Sequence, residues 1–334
     1  QHAAELQQKA VIYINTDDTG RGFLGVGGSH ALENYVNEIT KDVTDPETKV
    51  SLFERNKARD AVNAVTAHAR QEALARSTAS IGALGSGSDY SPFFQHLGIP
   101  SLNLGFGGED GGGEYHSIYD TYNDYIRFKD PGFVYGAALA SVNGRAILRM
   151  ANADVLPFDF RSLYHTINHY VDEIIEMTGK MRENTATENM LIDSKAYTLA
   201  ADPAKKMQPP IARPEVPALD FKPLQQALDT LKTSTDRLAA RCGKAQASGK
   251  EQDKLNQLLY RAEQQLLIPE GLPRRKWYKH TIYAPGFYTG YGVKTIPGVR
   301  EAIEQRNWPE AQQQIKVVAQ SILKLAAYLD NATS

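Results

Sequence analysis

The sequence has a single cysteine, Cys242, in 334 residues. That excludes a disulfide framework or a cysteine metal cluster and leaves the redox compartment open. No apolar run approaches the roughly 20 residues that a membrane-spanning helix needs. Charge of one sign is missing as well: 37 Lys and Arg against 39 Asp and Glu leave a net charge of -2, which gives no reason to expect nucleic acid or an anionic membrane surface as a partner. No fixed-period repeat and no low-complexity segment occurs. The chain opens on Gln1, with neither an initiator methionine nor a signal-peptide pattern, and reads as a piece of something longer. What remains is ordinary globular composition in a length that exceeds one usual core, so two domains are expected.

The first part alternates strand and helix signals. Ala3 to Gln8 reads as helix, and Lys9 to Asn15 is a β-rich apolar run without alternation, as in a strand covered on both faces of a parallel sheet. It ends in Asn15-Thr16-Asp17-Asp18-Thr19-Gly20. Carboxyl ends of strands face the ligand crevice of open α/β sheets, which suits a metal; taken by itself, an Asp pair more often merely shapes a turn. Ser29 is placed to cap a helix with Leu32, Tyr35, Val36 and Ile39 on its apolar face. Residues 43 to 60 read as a polar surface excursion. The loop Gly85-Ser86-Gly87-Ser88 leads to Asp89, an N-cap or a residue near a metal, with Pro92 in the first turn of a short helix closed by Gly98, after which Ile99 to Leu104 resumes the sheet. Asp130-Pro131 starts an apolar helix through Val134, Ala138, Val142, Ile147 and Met150.

Beyond Val155-Leu156-Pro157 strand signals nearly vanish. Four amphipathic helices are marked by Leu163, Ile167, Val171 and Ile174; by Leu224, Leu228, Leu231 and Leu238; by Leu255, Leu258, Ala262 and Leu266; and by Ile315, Val318, Ile322, Leu325 and Leu329. Such stripes predict an antiparallel bundle. Residues 183 to 222, with five prolines from Pro203 to Pro217, read as a loop or linker. Trp277 to Gly286 and Tyr288 to Tyr291 interrupt the bundle with aromatics and glycines, tucked into it, laid against a neighbouring domain or closed over a pocket. His165 and His169 are four apart and read as a polar helix face, and Asn331-Ala332-Thr333 fits a glycosylation sequon.

The densest chemistry is Glu114-Tyr115-His116-Ser117-Ile118-Tyr119-Asp120-Thr121, just after the glycine-rich run Gly105 to Gly113. It combines an imidazole, carboxylates, phenols and hydroxyls, and His116 is the candidate metal ligand. The ordered set of Val11 to Asp17, Leu84 to Asp89, Gly98-Ile99-Pro100, Tyr115 to Thr121 and Val155 to Asp159 resembles the carboxy-terminal half of the glutamate carboxypeptidase II and transferrin receptor group of zinc peptidases. Leu267 to Pro273, His280 to Pro285 and Ile296 to Val299 continue the match over nearly the whole chain.

That resemblance implies an incomplete zinc-peptidase α/β domain over residues 1-156. A helical transferrin receptor-like dimerisation domain would follow over residues 157-334. It implies a co-catalytic pair of Zn²⁺ ions, a peptide substrate and a homodimer formed through the helical domain. Asp17 matches the carboxylate on one zinc and His116 the imidazole on the other, and a hard carboxylate with a neutral imidazole suits Zn²⁺. Tyr115 matches a tyrosine that holds substrate or the tetrahedral intermediate. Ser88 stands where the peptidases carry an asparagine, and Asp89 matches the aspartate beside it; Asp120 supports the ligand loop. Asn103, with Gly25 and Gly105, stands where three arginines read acidic residues, and Gly290 and Tyr291 stand where a lysine and a tyrosine grip a terminal glutamate. Glutamate preference is therefore not expected. The remaining ligands and the general-base glutamate would lie upstream of Gln1, so the isolated chain is expected to be inactive. Relatives of this kind are secreted, periplasmic or membrane-anchored. A catalytically dead, receptor-like protein and a bare dimerisation module stay open as alternatives.

Overall fold

The computed structural model describes residues 2–109, 112–243 and 249–332; Thr333, which completes the sequon, lies outside them. Helix α1 (Ala3–Lys9) leads into a three-stranded sheet of β1 (Tyr13–Asn15), β2 (Gly22–Gly28) and β3 (Ser101–Gly108). The order is β1-β3-β2. β1 runs parallel to β3 with Asn15 opposite Asn103, and β2 runs antiparallel with Gly28 opposite Leu102. Two expectations change here. The first strand is shorter than Lys9 to Asn15, and Gly105 to Gly108 belong to β3 rather than to a loose loop. The backbones of β2 and β3 are close enough that a Cβ on Gly28 would sit 2.1 Å from the Ser101 carbonyl oxygen, and Gly28 has φ +150°. Only glycine satisfies both conditions.

Helix α2 (Glu33–Lys41) buries Tyr35, Val36 and Ile39 as its spacing predicts. Ser29, however, makes no cap: its hydroxyl donates to Glu263, which is buried in the helical part of the chain. Residues 43 to 60 are not a surface excursion. Helix α3 (Leu52–Asn63), capped by the Ser51 hydroxyl accepting from the Glu54 amide, brings Arg55 against Asp45 at 2.6 Å, and both are buried. Arg55 also donates to the Gly22 carbonyl and to the Tyr135 hydroxyl. Polarity read as solvation was in fact an internal ion pair, a pairing that composition cannot reveal. After α4 (Ala67–Ala75), the chain makes a five-residue π turn, Pro92–His96, before β3. Helix α5 (Tyr122–Asp124) and a second π turn, Tyr125–Lys129, precede α6 (Val134–Ala151). The Asp130 carboxylate accepts from the Tyr135 and Gly136 amides and so caps α6. Ala138, Val142 and Met150 of that helix are buried, while Val134 and Ile147 face solvent.

The bundle consists of α7 (Phe160–Asp193), α8 (Ala196–Ala200), α9 (Lys222–Cys242), α10 (Lys250–Arg261), α11 (Pro297–Glu304) and α12 (Trp308–Asp330). The stripes predicted from spacing are the buried ones: Leu163, Ile167 and Ile174, Leu224 and Leu231, and Ile315, Ile322, Leu325 and Leu329 are all fully buried. α7 continues eleven residues into the stretch read as linker, because no proline intervenes before Pro203. A two-stranded hairpin, β4 (Tyr283–Pro285) with β5 (Val293–Thr295), stands among the helices and was not foreseen. A single hydrophobic cluster runs from Leu24 and Leu104 in the sheet region through Leu163 and Ile282 to Leu329. The aromatic segment is tucked in at one end and meets the π turn before β3 at the other. Tyr283 is fully buried, whereas the backbone of Lys279 and His280 bonds the Gln95 carbonyl and His96 stacks on Trp277.

Candidate functional site

The end of β1 delivers its polar residues into a hydrogen-bonded group. Asn15 Nδ2 lies 2.8 Å from each of Asp17 Oδ1, Ser88 Oγ and Asn103 Oδ1. The Ser88 hydroxyl donates to the same Asp17 oxygen, and Tyr13 OH donates to Asn15 Oδ1 at 3.1 Å. Tyr13 is itself held by stacking on Phe93, with ring centroids 4.0 Å apart. Parallel pairing explains the grouping: opposing positions on β1 and β3 present Asn15 and Asn103 side by side. Asp17 is exposed, with one carboxylate oxygen oriented by two donors.

The Glu114–Thr121 segment lies over this end of the sheet. Tyr115 and His116 stack, with ring centroids 3.8 Å apart, and His116 takes the left-handed conformation at φ +59°. That turn is closed by the Ser117 amide donating to the Glu114 carbonyl, and the Asp120 amide donates to the Ser117 carbonyl. Tyr291 arrives from the β4–β5 connection. Its carbonyl accepts from the Ser86 amide, and its ring fills the space beside Gly87, where a Cβ would lie 2.6 Å from it. Desolvation, the neighbouring Tyr291, to which the Tyr115 hydroxyl donates, and the charges of Asp17 and Asp18 hold the Tyr115 phenol above its ordinary pKa. Burial together with Asp17 and Tyr278 pushes Tyr90 up to about 12, and burial with Asp89 and Asp17 raises Tyr13. Three phenols around one carboxylate therefore stay protonated and able to donate.

Asp17, Ser88, Asn103, Tyr115 and Tyr291 thus share one surface, with His116 stacked on Tyr115. Asp89 is exposed and reaches the group through its charge on Tyr13. Asp120 sits 4.0 Å from Lys129 Nζ. Several members were not foreseen. Asn15 was read as a strand end, although a polar residue 6% exposed in an apolar strand is itself a signal. Lys129 was not singled out at all, yet it is only 8% exposed and bonds Glu114 at 2.5 Å. That bond, with desolvation opposing it, raises the Lys129 ammonium and lowers the Glu114 carboxyl relative to their ordinary values.

Among the described residues no three His, Cys, Asp or Glu side chains converge as a metal site. Asp17 and His116 have the donor chemistry for Zn²⁺, but the described residues do not complete a coordination shell. His165 and His169 make no such group either, and His169 has an acidic neighbour, Glu173, at 3.3 Å.

The Transferrin receptor-like dimerisation domain model matches residues 219–330. A probable glutamate carboxypeptidase of Zea mays, VP8, is 28% identical over 99% of this chain and 40% of its own length. The probable glutamate carboxypeptidase LAMP1 of Arabidopsis thaliana is 27% identical over 95% of this chain and 40% of its own. Aminopeptidase NAALADL1 of Rattus norvegicus is 24% identical over 99% of this chain and 41% of its own. The chain therefore spans about 40% of the length of these relatives. It belongs to the glutamate carboxypeptidase II and transferrin receptor-like family, and it covers the part of that family that includes the dimerisation domain.

Proposed function

We propose that this chain is part of a zinc metallopeptidase, with Asp17 a ligand of one metal and His116 of the other. The observation that carries the reading is the Asn15–Asp17–Ser88 hydrogen-bonded group, which aims a carboxylate out of a strand end, with Tyr115, His116 and Tyr291 gathered over it. The chemistry a metal pair supplies when bound is a water made nucleophilic at neutral pH. The part of this chain is to orient and donate. Asn15 and Ser88 fix Asp17, and the protonated Tyr115 offers a donor to a substrate carbonyl or to the negative charge that develops there. Asn103 and Tyr291 line the same surface with uncharged polar groups, and Gly25 and Gly105 add no charge. A substrate carboxylate would meet no arginine among them, so neutral peptides fit better than acidic dipeptides.

Residues 1-156 would then be the carboxy-terminal part of the peptidase α/β domain, and residues 157-334 a dimerisation domain that pairs two copies of the parent. The other metal ligands and the general base come from residues outside this chain, so the isolated chain neither hydrolyses peptides nor retains two Zn²⁺ ions. Zinc analysis and peptide hydrolysis on the 334-residue chain and on its longer parent test this. Activity with stoichiometric zinc in the short chain overturns the missing-ligand part. A parent that binds no zinc overturns the enzyme reading and favours a receptor-like protein. Light scattering tests the dimer, and a strictly monomeric parent refutes it.

A further inference from the structure

The ammonium of Lys129 lies against the two carboxylates that flank His116 in its loop. It bonds Glu114 Oε1 at 2.5 Å and stands 4.0 Å from Asp120 Oδ1, and its charge interacts with Asp18. Glu114 and Asp120 bracket His116, and Asp18 adjoins Asp17. Lys129 itself is 8% exposed and ends the π turn Tyr125–Lys129, which leads through Asp130 into α6. The anchor therefore belongs to a capped helix start, whereas Tyr115, His116 and Asp120 are exposed.

We propose that Lys129 is a positioning residue that ties the His116 turn to the start of α6 by pairing with Glu114 beside Asp120. As a metal-positioning role, this rests on reading Asp17 and His116 as ligands. Two features of the geometry support it. The Glu114 carbonyl closes the turn that places His116 at φ +59°, so anchoring the Glu114 side chain anchors the turn that carries the imidazole. A left-handed histidine is held against its own backbone preference, so it depends on such restraint. Without the cation, the Glu114 and Asp120 carboxylates would be left facing each other unpaired.

The test uses Lys129→Met, Lys129→Arg and Glu114→Gln. In the 334-residue chain, amide exchange is followed at Ser117, Tyr119 and Asp120, all of which donate hydrogen bonds in this loop. Loss of a charged hydrogen bond is expected to speed exchange about tenfold in K129M and in E114Q, with no further gain in the double variant. K129R, which keeps the charge, stays near wild type. Should K129M fail to fold, E114Q and K129R still decide, since neither removes the cation. In the longer parent, chelator competition is expected to strip zinc about tenfold more readily from K129M than from wild type or K129R. Unchanged exchange in K129M and E114Q overturns the anchor. Faster exchange with unchanged zinc retention overturns the positioning role. A wild-type parent without zinc overturns the metallopeptidase reading, while the exchange data still judge the anchor.

Discussion

His30 gives a prediction whose size follows from the structure. Its Nε2 lies 2.9 Å from the Ile81 carbonyl and its Nδ1 2.8 Å from the Tyr283 hydroxyl. A carbonyl can only accept, so Nε2 carries the hydrogen and Nδ1 accepts from the phenol. The neutral ring is thus satisfied on both sides. Burial lowers its pKa from 6.5 to about 4, with the Ile81 carbonyl opposing. The folded state binds a proton less readily than the unfolded state. Stability from this group is complete above about pH 6.5 and is lost as pH falls from there towards 4. The difference amounts to about 3 kcal/mol. The residue sits between the sheet region and the bundle, stacked on Tyr283 and edge-on to Tyr170. Urea unfolding of wild type and His30→Gln at pH 7 and pH 4 measures it. Glutamine can keep a donor and an acceptor but does not titrate. Wild type should lose about 3 kcal/mol more than H30Q between the two pH values. Parallel losses in the two proteins refute the argument.

Further outcomes follow from packing and charge. Leu325→Ala empties a fully buried position on α12 and should cost about 2–5 kcal/mol in denaturant unfolding. Asp45→Ala removes the fully buried carboxylate paired with the Arg55 guanidinium and should cost about 3–5 kcal/mol; a loss under 1 kcal/mol would show that Glu109, the other carboxylate bonded to Arg55, suffices. Gly28→Ala forces a Cβ to within 2.1 Å of the Ser101 oxygen at φ +150°, and the strained backbone alone should cost about 1–3 kcal/mol by thermal melting. In the longer parent, Tyr115→Phe should lower kcat about 10²-fold with little change in KM. An equal kcat would remove the phenol from the transition state.

Much of the helical part was legible because helix burial is a local property. The stripes of Leu163 to Ile174 and of Ile315 to Leu329 repeat every three or four residues, and the same residues form the core. The loops that carry Asp17, Ser88 and His116 were legible as motifs, since each is a short continuous string. What sequence could not reveal were relations between distant strings. β2, Gly-Phe-Leu-Gly-Val-Gly-Gly, has almost no strand propensity, and pairing with β3 makes it a strand. The polar stretch holding Asp45 and Arg55 reads as solvated until its two ends are seen to pair inside the protein. Ser29 reads as a cap, yet only the fold brings Glu263 to it. Lys129 is one lysine among many charged residues. It becomes the cation between Glu114 and Asp120 only when the π turn sets it beside them. Periodicity and motif belong to the chain alone. Ion pairing, close backbone approach and buried hydrogen bonds depend on which distant segments meet, and the tertiary structure decided those.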